Sequence, residues 1–310
     1  MRYLIRKVSS SLITLFVIIT LTFILIHSIP GSPFETGKRL PDAIAQNLNY
    51  KYQLDAPLGE QYLNYLKGLS KGDLGSSIKQ ENRTVNSIIR DGFPISALLG
   101  ISSILIALSF GIMLGCITAI YRNKWLDMGV SLFTTLGISI PGFVLAGLLV
   151  QMFAVKLQWF PPALWHGPIS MILPVIALSL LPMAIITRLI KASLFDVLGQ
   201  NYMQTARAKG LPYSKVVFKH GLRNSLFPVL SYLGPAVAAI VTGSFIIESI
   251  FSIPGMGKWF VISVINRDYT VVVGLTIFYS TLLICINIIV DIAYAILDPR
   301  VKVWDRGIIK

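Results

Sequence analysis

Apolar residues are laid down along this chain in long uninterrupted blocks. Six runs, at about 8–29, 95–120, 128–155, 170–190, 227–251 and 270–297, each reach the length of about 20 residues that a helix needs to cross some 30 Å of hydrocarbon. They predict an all-α membrane protein with six transmembrane helices. The stretches between the blocks are uneven. An outer segment at 32–94 is too long for a turn, and it carries helix-like patterns at 43–52 and 61–69 and a tight turn at Gly72-Asp73-Leu74-Gly75.

The second polar interruption lies between the fourth and fifth blocks. The composition of 197–209 permits a helix, Gly210 suits a left-handed C-terminal cap, and Pro212 both ends that helix and opens a second one running toward Leu222. A short helix, a turn and another helix therefore project from the membrane.

Composition reinforces the membrane reading. Of 310 residues, 54% are apolar and 13% charged, which leaves too little polar surface for one or two soluble domains. The net charge of +13 could suggest a nucleic-acid partner, but the basic residues sit in short loops instead of on a soluble face with stacking aromatics. Arg122, Lys124, the seven basic residues from Arg188 to Arg223, and Arg300, Lys302, Arg306 and Lys310 all fall on the side of the amino terminus. Positive-inside bias then makes both termini cytoplasmic. The segment 32–94, with eight Lys/Arg against seven Asp/Glu, faces outward.

The first block follows Arg2, Arg6 and Lys7 but exceeds a signal-peptide core and lacks a small-x-small cleavage site, so it is expected to be retained. The predicted organisation is a first transmembrane helix at 1–31, an outer loop subdomain at 32–94, a core of helices two to six at 95–298 containing the cytoplasmic loop 191–226, and a tail at 299–310.

Catalytic chemistry is missing from the pattern. The segment Gly31-Ser32-Pro33-Phe34-Glu35-Thr36-Gly37-Lys38-Arg39 imitates a phosphate-binding loop, but it has five residues between its glycines instead of four, and Arg39 replaces the magnesium-holding Ser or Thr. No His-Glu-x-x-His or Gly-x-Ser-x-Gly is present. His27, His166 and His220 share no metal-binding face, and Cys116 and Cys285 lie inside predicted spans as small apolar fillers. The chain is expected to be no enzyme and to bind no metal or cofactor.

Breaks within the spans supply candidate pathway residues. Ser139-Ile140-Pro141-Gly142 falls inside the third block, Pro174 and Pro182 interrupt the fourth, and Gly234-Pro235 lies in the fifth. Prolines free carbonyls that need protein or water neighbours, and small residues allow close helix contact. Ser139, Pro141 and Gly234 fit a pathway at the junction of helices three to five, and plain packing explains them as well. Glu248, near the outer end of the fifth block, suits an outer gate or a docking surface. Asp291 in the sixth is expected to form an ion pair, with Arg188, Arg223 or Arg300 as partner.

The insert resembles a known family. Tyr202-Met203-Gln204-Thr205-Ala206-Arg207-Ala208-Lys209-Gly210-Leu211 is similar to the Tyr-x-x-Thr-Ala-Arg-Ala-Lys-Gly-Leu form of the cytoplasmic loop of ABC importer permeases, and His220-Gly221-Leu222-Arg223-Asn224 followed by Pro228 resembles its continuation. Leu54-Asp55-Ala56-Pro57-Leu58, Gly72-Asp73-Leu74-Gly75-Ser76-Ser77, Ser139-Ile140-Pro141-Gly142-Phe143, the stretch from Glu248 to Gly257 and that from Asp291 to Arg300 resemble the B-type subunits of oligopeptide, dipeptide, nickel and glutathione systems. Departures are Gln204 for Glu, Ser32 after the first helix, and Ser96 for Thr in Pro-x-Thr.

The resemblance implies a type I ABC importer permease fold with a cytoplasmic coupling helix, in a multi-pass protein of the bacterial cytoplasmic membrane. It implies a pathway for peptides shared with a second, C-type permease, driven by two ATPase subunits that use ATP and fed by an extracytoplasmic substrate-binding protein, with nickel or glutathione as alternative cargo. Tyr202, Thr205, Ala206, Arg207, Ala208, Lys209, Gly210 and Leu211 would then couple to the ATPases. Contact of the same cations with lipid headgroups is the alternative reading. An ion-driven secondary transporter would need more acids within its spans, and an intramembrane protease a nucleophile and base at depth.

Overall fold

A computed structural model describes residues 2–28, 56–165, 167–241 and 243–297. The expected helix at 43–52, the phosphate-loop imitation, His166 and the basic residues from Arg300 onward lie outside them. Among the described residues the chain is helical, with one antiparallel bridge between Ser76 and Thr84 and no strand. In chain order the helices are α1 (Arg2–His27), α2 (Leu58–Ser70), α3 (Val85–Ile120), α4 (Trp125–Ser139), α5 (Gly142–Leu149), α6 (Pro168–Leu198), α7 (Asn201–Ala208), α8 (Tyr213–Lys215), α9 (Leu222–Ser225), α10 (Phe227–Val241), α11 (Phe245–Ile250), α12 (Met256–Ile265) and α13 (Tyr269–Leu297).

Five of the six spans appear as helices long and apolar enough to cross a membrane, and the sixth is broken. The third block was expected as one span, with Ser139-Ile140-Pro141-Gly142 marking a break inside it. It is α4 and α5, the latter continued by a π-helical stretch Val150–Lys156, meeting at a bend of 105°. Pro141 causes the break, since its ring disfavours helical backbone at the preceding residue and it has no N–H to continue the ladder. Ile140 is accordingly extended (φ −82°, ψ 119°), and α5 restarts one residue after the proline.

The other prolines act differently. The α6 helix runs 31 residues through both Pro174 and Pro182 without interruption, and both prolines are buried. The fifth block stops at Val241, passes through Gly243 in the left-handed region (φ 97°) and resumes as α11. The second span begins in polar sequence at Val85, ten residues before the apolar run, and contains Pro94.

The described residues fall into two compact units, one drawn from 1–95 and 254–284, the other from 96–253 and 285–310. In the first unit, Ile19, Ile26, Ile78, Tyr269, Val273 and Ile277 form a core into which α2 packs Tyr62, Tyr65, Leu66 and Leu69. Tyr62 joins α1 through a 2.6 Å hydrogen bond between its hydroxyl and that of Thr20. Burial raises the Tyr65 phenol above its ordinary range, and Asp73 adds to the effect.

Asp268 holds the outer chain down. It is 3% exposed, lies just before α13, and its carboxylate accepts the Ser77 hydroxyl, the Ile78 N–H at 3.2 Å and the Val271 N–H at 3.4 Å. The Ser77 hydroxyl oxygen in turn accepts the N–H groups of Lys79 and Gln80. Partial burial pulls the Lys79 ammonium below its ordinary value, opposed by Asp268 and reinforced by Arg267. The expected turn is present, with Gly72 and Gly75 at φ 76° and 92° and the Gly75 N–H donated to Asp73.

The second unit is organised by a stripe of small residues on α3. Ser103, Ala107, Gly111, Gly115 and Ala119 recur every fourth position and are buried. A Cβ on Gly115 would lie 2.6 Å from Ile190 Cβ, and one on Gly111 would lie 2.8 Å from Ile186 Cγ2. The two helices therefore meet at backbone distance, the contact that small residues permit in lipid. Gly100 meets Val241 in the same way, 2.8 Å from its Cα.

Two predictions follow from this packing. Gly115→Ala should lower the thermal midpoint of the detergent-purified protein, at a cost of about 1–3 kcal/mol, whereas Gly129→Ala, with no atom within 4 Å of the new methyl, should leave the midpoint unchanged or raise it in the same fluorescence melt. Asp268→Ala strands a hydroxyl and two N–H groups at a cost of about 2–3 kcal/mol. Limited proteolysis should then cut within 76–83 faster than in the parent protein.

Candidate functional site

The polar insert is a compact helical hairpin on the end of α6. Gly199 and Gln200 separate α6 from α7, with Gln200 extended (φ −73°, ψ 149°) so that the chain turns before the next helix begins. The α7 helix ends through Lys209 (φ −75°, ψ 6°) into Gly210, whose φ of +74° is the left-handed cap expected of it. Pro212 stands immediately before α8, which continues through a π-helical stretch Val216–Gly221 into α9.

Hydrophobic contact fixes the hairpin's inner face. Met203, Ala206 and Val216 are buried against Val197, Leu198 and Leu211. Gly221 lets the returning strand of the hairpin approach α6, since a Cβ there would lie 3.0 Å from Leu194 Cδ1 and 3.3 Å from Met203 Cε. Ala206, one of the small residues expected to face a partner, is thus turned inward, while Leu211 is half-buried.

The outer face carries the rest. Tyr202, Thr205, Arg207, Ala208, Lys209 and Gly210 are exposed. The Tyr202 hydroxyl accepts the Asn224 amide N–H at 2.9 Å, and the Arg207 guanidinium stands 5.4 Å from the Tyr213 ring centroid across the turn. The surface is small in side-chain volume, cationic and pre-shaped, with no buried acid or nucleophile.

The other sequence-selected residues are dispersed. Ser139 is the exposed last residue of α4 and Pro141 the hinge of the bend. Gly234 is buried where a Cβ would lie 2.8 Å from Asn287 Oδ1 on α13, so it serves close helix contact. Glu248, expected near the outer surface, is 1% exposed on α11, and its carboxylate accepts the Ser96 hydroxyl at 2.7 Å. This chain by itself therefore presents Glu248 to no docking partner. Ser96, the position that departs from Thr in Pro-x-Thr, keeps the hydroxyl that this bond requires.

Asp291 lies half-buried on α13, and Arg300, one of its three expected partners, lies outside the described residues. Arg188 donates to the Thr135 hydroxyl at 2.8 Å. The ion pair that the sequence did not disclose joins Lys191 on α6 to Asp127 on α4. Ser131 lies 3.2 Å from both partners, and the Asn123 N–H reaches the second Asp127 oxygen at 3.1 Å. The signal was an acid and a base at the ends of adjacent apolar blocks. Arg122 rests its guanidinium 3.7 Å from the Phe195 ring centroid nearby.

Comparison with known proteins gives this geometry a context. Residues 111–303 match the family described as binding-protein-dependent transport system inner membrane component, and residues 1–100 match its N-terminal companion. The dipeptide transport system permease of Bacillus subtilis (strain 168) is 50% identical over 306 residues, 99% of each chain. The oligopeptide transport system permease of Salmonella typhimurium is 43% identical over 97% of this chain and 99% of its own. Among solved structures, the MetNI methionine ABC transporter in inward-facing conformations superposes with a TM-score of 0.54 at 17% identity, over 69% of this chain and 96% of that one. An amino acid ABC transporter crystallised with histidines gives 0.53 at 15% identity, over 67% and 92%. These two likenesses concern the fold.

The ion pair provides a test of how α4 is held on α6. Asp127→Ala leaves Lys191 uncompensated and should lower the thermal midpoint, a loss of about 1–3 kcal/mol. Adding Lys191→Met should recover most of that loss. Equal and additive losses in the double-mutant cycle would show that the two residues do not act as a pair.

Proposed function

The chain belongs to the family of binding-protein-dependent transport system inner membrane components, and on that premise we propose that it is the permease subunit of an ATP-driven importer of di- or oligopeptides in the bacterial cytoplasmic membrane. The naming of relatives at 50% and 43% identity across the whole chain as dipeptide and oligopeptide permeases supports the cargo. The fold neighbours, both ABC transporters, support the class. Nickel and glutathione cargo have no comparable support.

The helical hairpin α7–α9 carries the mechanistic reading. This chain has no recognisable catalytic set, so energy must arrive from elsewhere. We take α7 as the docking surface for an ATPase subunit on the cytoplasmic side, with Tyr202, Thr205, Arg207, Ala208, Lys209 and Gly210 outermost, and ATP bound and hydrolysed by that partner. Leu211 and the inward-facing Ala206 brace the surface from behind. A second permease chain would complete the pathway, and an extracytoplasmic binding protein would deliver the peptide.

Its attachment to α6 makes the hairpin a lever. Gly221 sits against Leu194 of α6 and Met203 packs with Val197 and Leu198 at its end, so displacement of α7 by a closing ATPase pair is loaded directly onto a transmembrane helix. The single observation behind this reading is the exposed cationic face of α7 on an apolar footing.

Arg207→Glu reverses the charge at the outer face without touching the Met203 and Val216 core. In proteoliposomes holding the complete transporter, uptake of a labelled tripeptide should fall by more than about tenfold while the complex still assembles on size-exclusion chromatography. Uptake that persists at the parent rate would refute the docking role. Uptake by this chain alone on a proton gradient would refute the class.

A further inference from the structure

Beside the Lys191 and Asp127 ion pair lies a cavity of about 310 Å³ between α4 and α6, with Thr118 of α3 at its rim. Its lining is unusual for a helix pair in lipid. Ser131, Thr134 and Thr135 come from α4, and Thr187, Arg188 and Lys191 from α6. Charged groups at the margin of a span are costly and are kept there when something uses them.

The charge balance of the cavity is positive. Lys191 is matched by Asp127, but the only partner of Arg188 among the described residues is the Thr135 hydroxyl. One arm of a planar fork with five N–H donors is thus occupied, and Arg188, an exposed residue, lines the cavity. Two parallel N–H groups of a guanidinium match the two oxygens of a carboxylate.

The hydroxyls sharpen the choice of ligand. Thr134 and Thr135 donate to the Ser131 carbonyl at 3.0 and 2.7 Å, and Thr187 donates to the Met183 carbonyl at 2.8 Å. Their protons are spent on the helix backbone, so they offer the cavity oxygen lone pairs. A phosphodiester, which brings only acceptor oxygens, would meet those lone pairs unfavourably. A peptide end brings both a carboxylate for Arg188 and an amide N–H for a threonine oxygen. The volume sits at the lower end of the range for small-ligand sites, suited to one or two residues.

We propose that this cavity is a carboxylate subsite on the transport path, in which Arg188 grips the C-terminal carboxylate of the moving peptide and the threonine oxygens receive its last amide N–H. The proposal rests on the peptide-importer reading.

The test uses the complete transporter without its binding protein, so that recognition by that protein cannot contribute. Binding of trialanine and of trialanine amide is measured by titration calorimetry on the detergent-solubilised complex. The parent should bind the acid at least about tenfold more tightly than the amide. Arg188→Gln should abolish that preference, and Arg188→Lys should restore part of it. A preference unchanged in Arg188→Gln, or absent in the parent, overturns the subsite. Native mass spectrometry that finds an anionic lipid on the parent, lost in Arg188→Gln, also overturns it and assigns the cavity to a headgroup. Failure of the importer reading would look different, since the parent would then show no ATP-dependent trialanine uptake with its binding protein restored.

Discussion

The backbone-distance contact between α3 and α6 is the constraint on which the second unit rests. In lipid there is no gain from hiding one apolar helix surface against another, so adhesion must come from close packing and polar bonds. Gly111 and Gly115 supply the first by admitting Ile186 and Ile190 where a methyl group would collide. The same α6 then binds α4 through Lys191 and receives the hairpin through Leu194. One helix is gripped at successive turns by a span, an ion pair and a docking element, so these three cannot respond independently to a push.

The cations near this end of the chain are satisfied in different currencies. Lys191 has a carboxylate, Arg122 the face of Phe195, Arg207 the face of Tyr213, and Arg188 a hydroxyl. Aromatic faces and hydroxyls hold a guanidinium in place without cancelling its charge. The region keeps its shape and its positive potential together, which suits a surface meant to meet acidic groups on something else.

Much of this was legible in the chain because its strongest signals are local. Apolar runs reveal spans, and Gly210 with Pro212 reveals a turn because glycine takes a left-handed φ at no steric cost while proline fixes its own φ. The bend at Pro141 was visible as a residue but not as an angle, since a proline inside an apolar run is compatible with both a break and the uninterrupted helix seen at Pro174 and Pro182. What separates these cases is whether tertiary neighbours stabilise the distorted turn. The ion pair of Asp127 with Lys191 and the hydroxyl bond of Ser96 with Glu248 span 64 and 152 residues of sequence, and no periodicity encodes such partners. The stripe from Ser103 to Ala119 was present as a four-residue rhythm, but the same rhythm marks lipid-facing helices until a partner is seen.

The wide turn at Val216–Gly221 has an implication of its own. A π-helical stretch accommodates more residues per turn than the ordinary helix on either side of it. Losing a single residue there would let the backbone relax into plain α geometry while α9 and α10 keep their facing, whereas relaxing the stretch at its present length would spin everything downstream by about 100° about the helix axis. The wide turn thus absorbs one amino acid more than a regular helix would hold, without turning the faces that the following span shows to its neighbours.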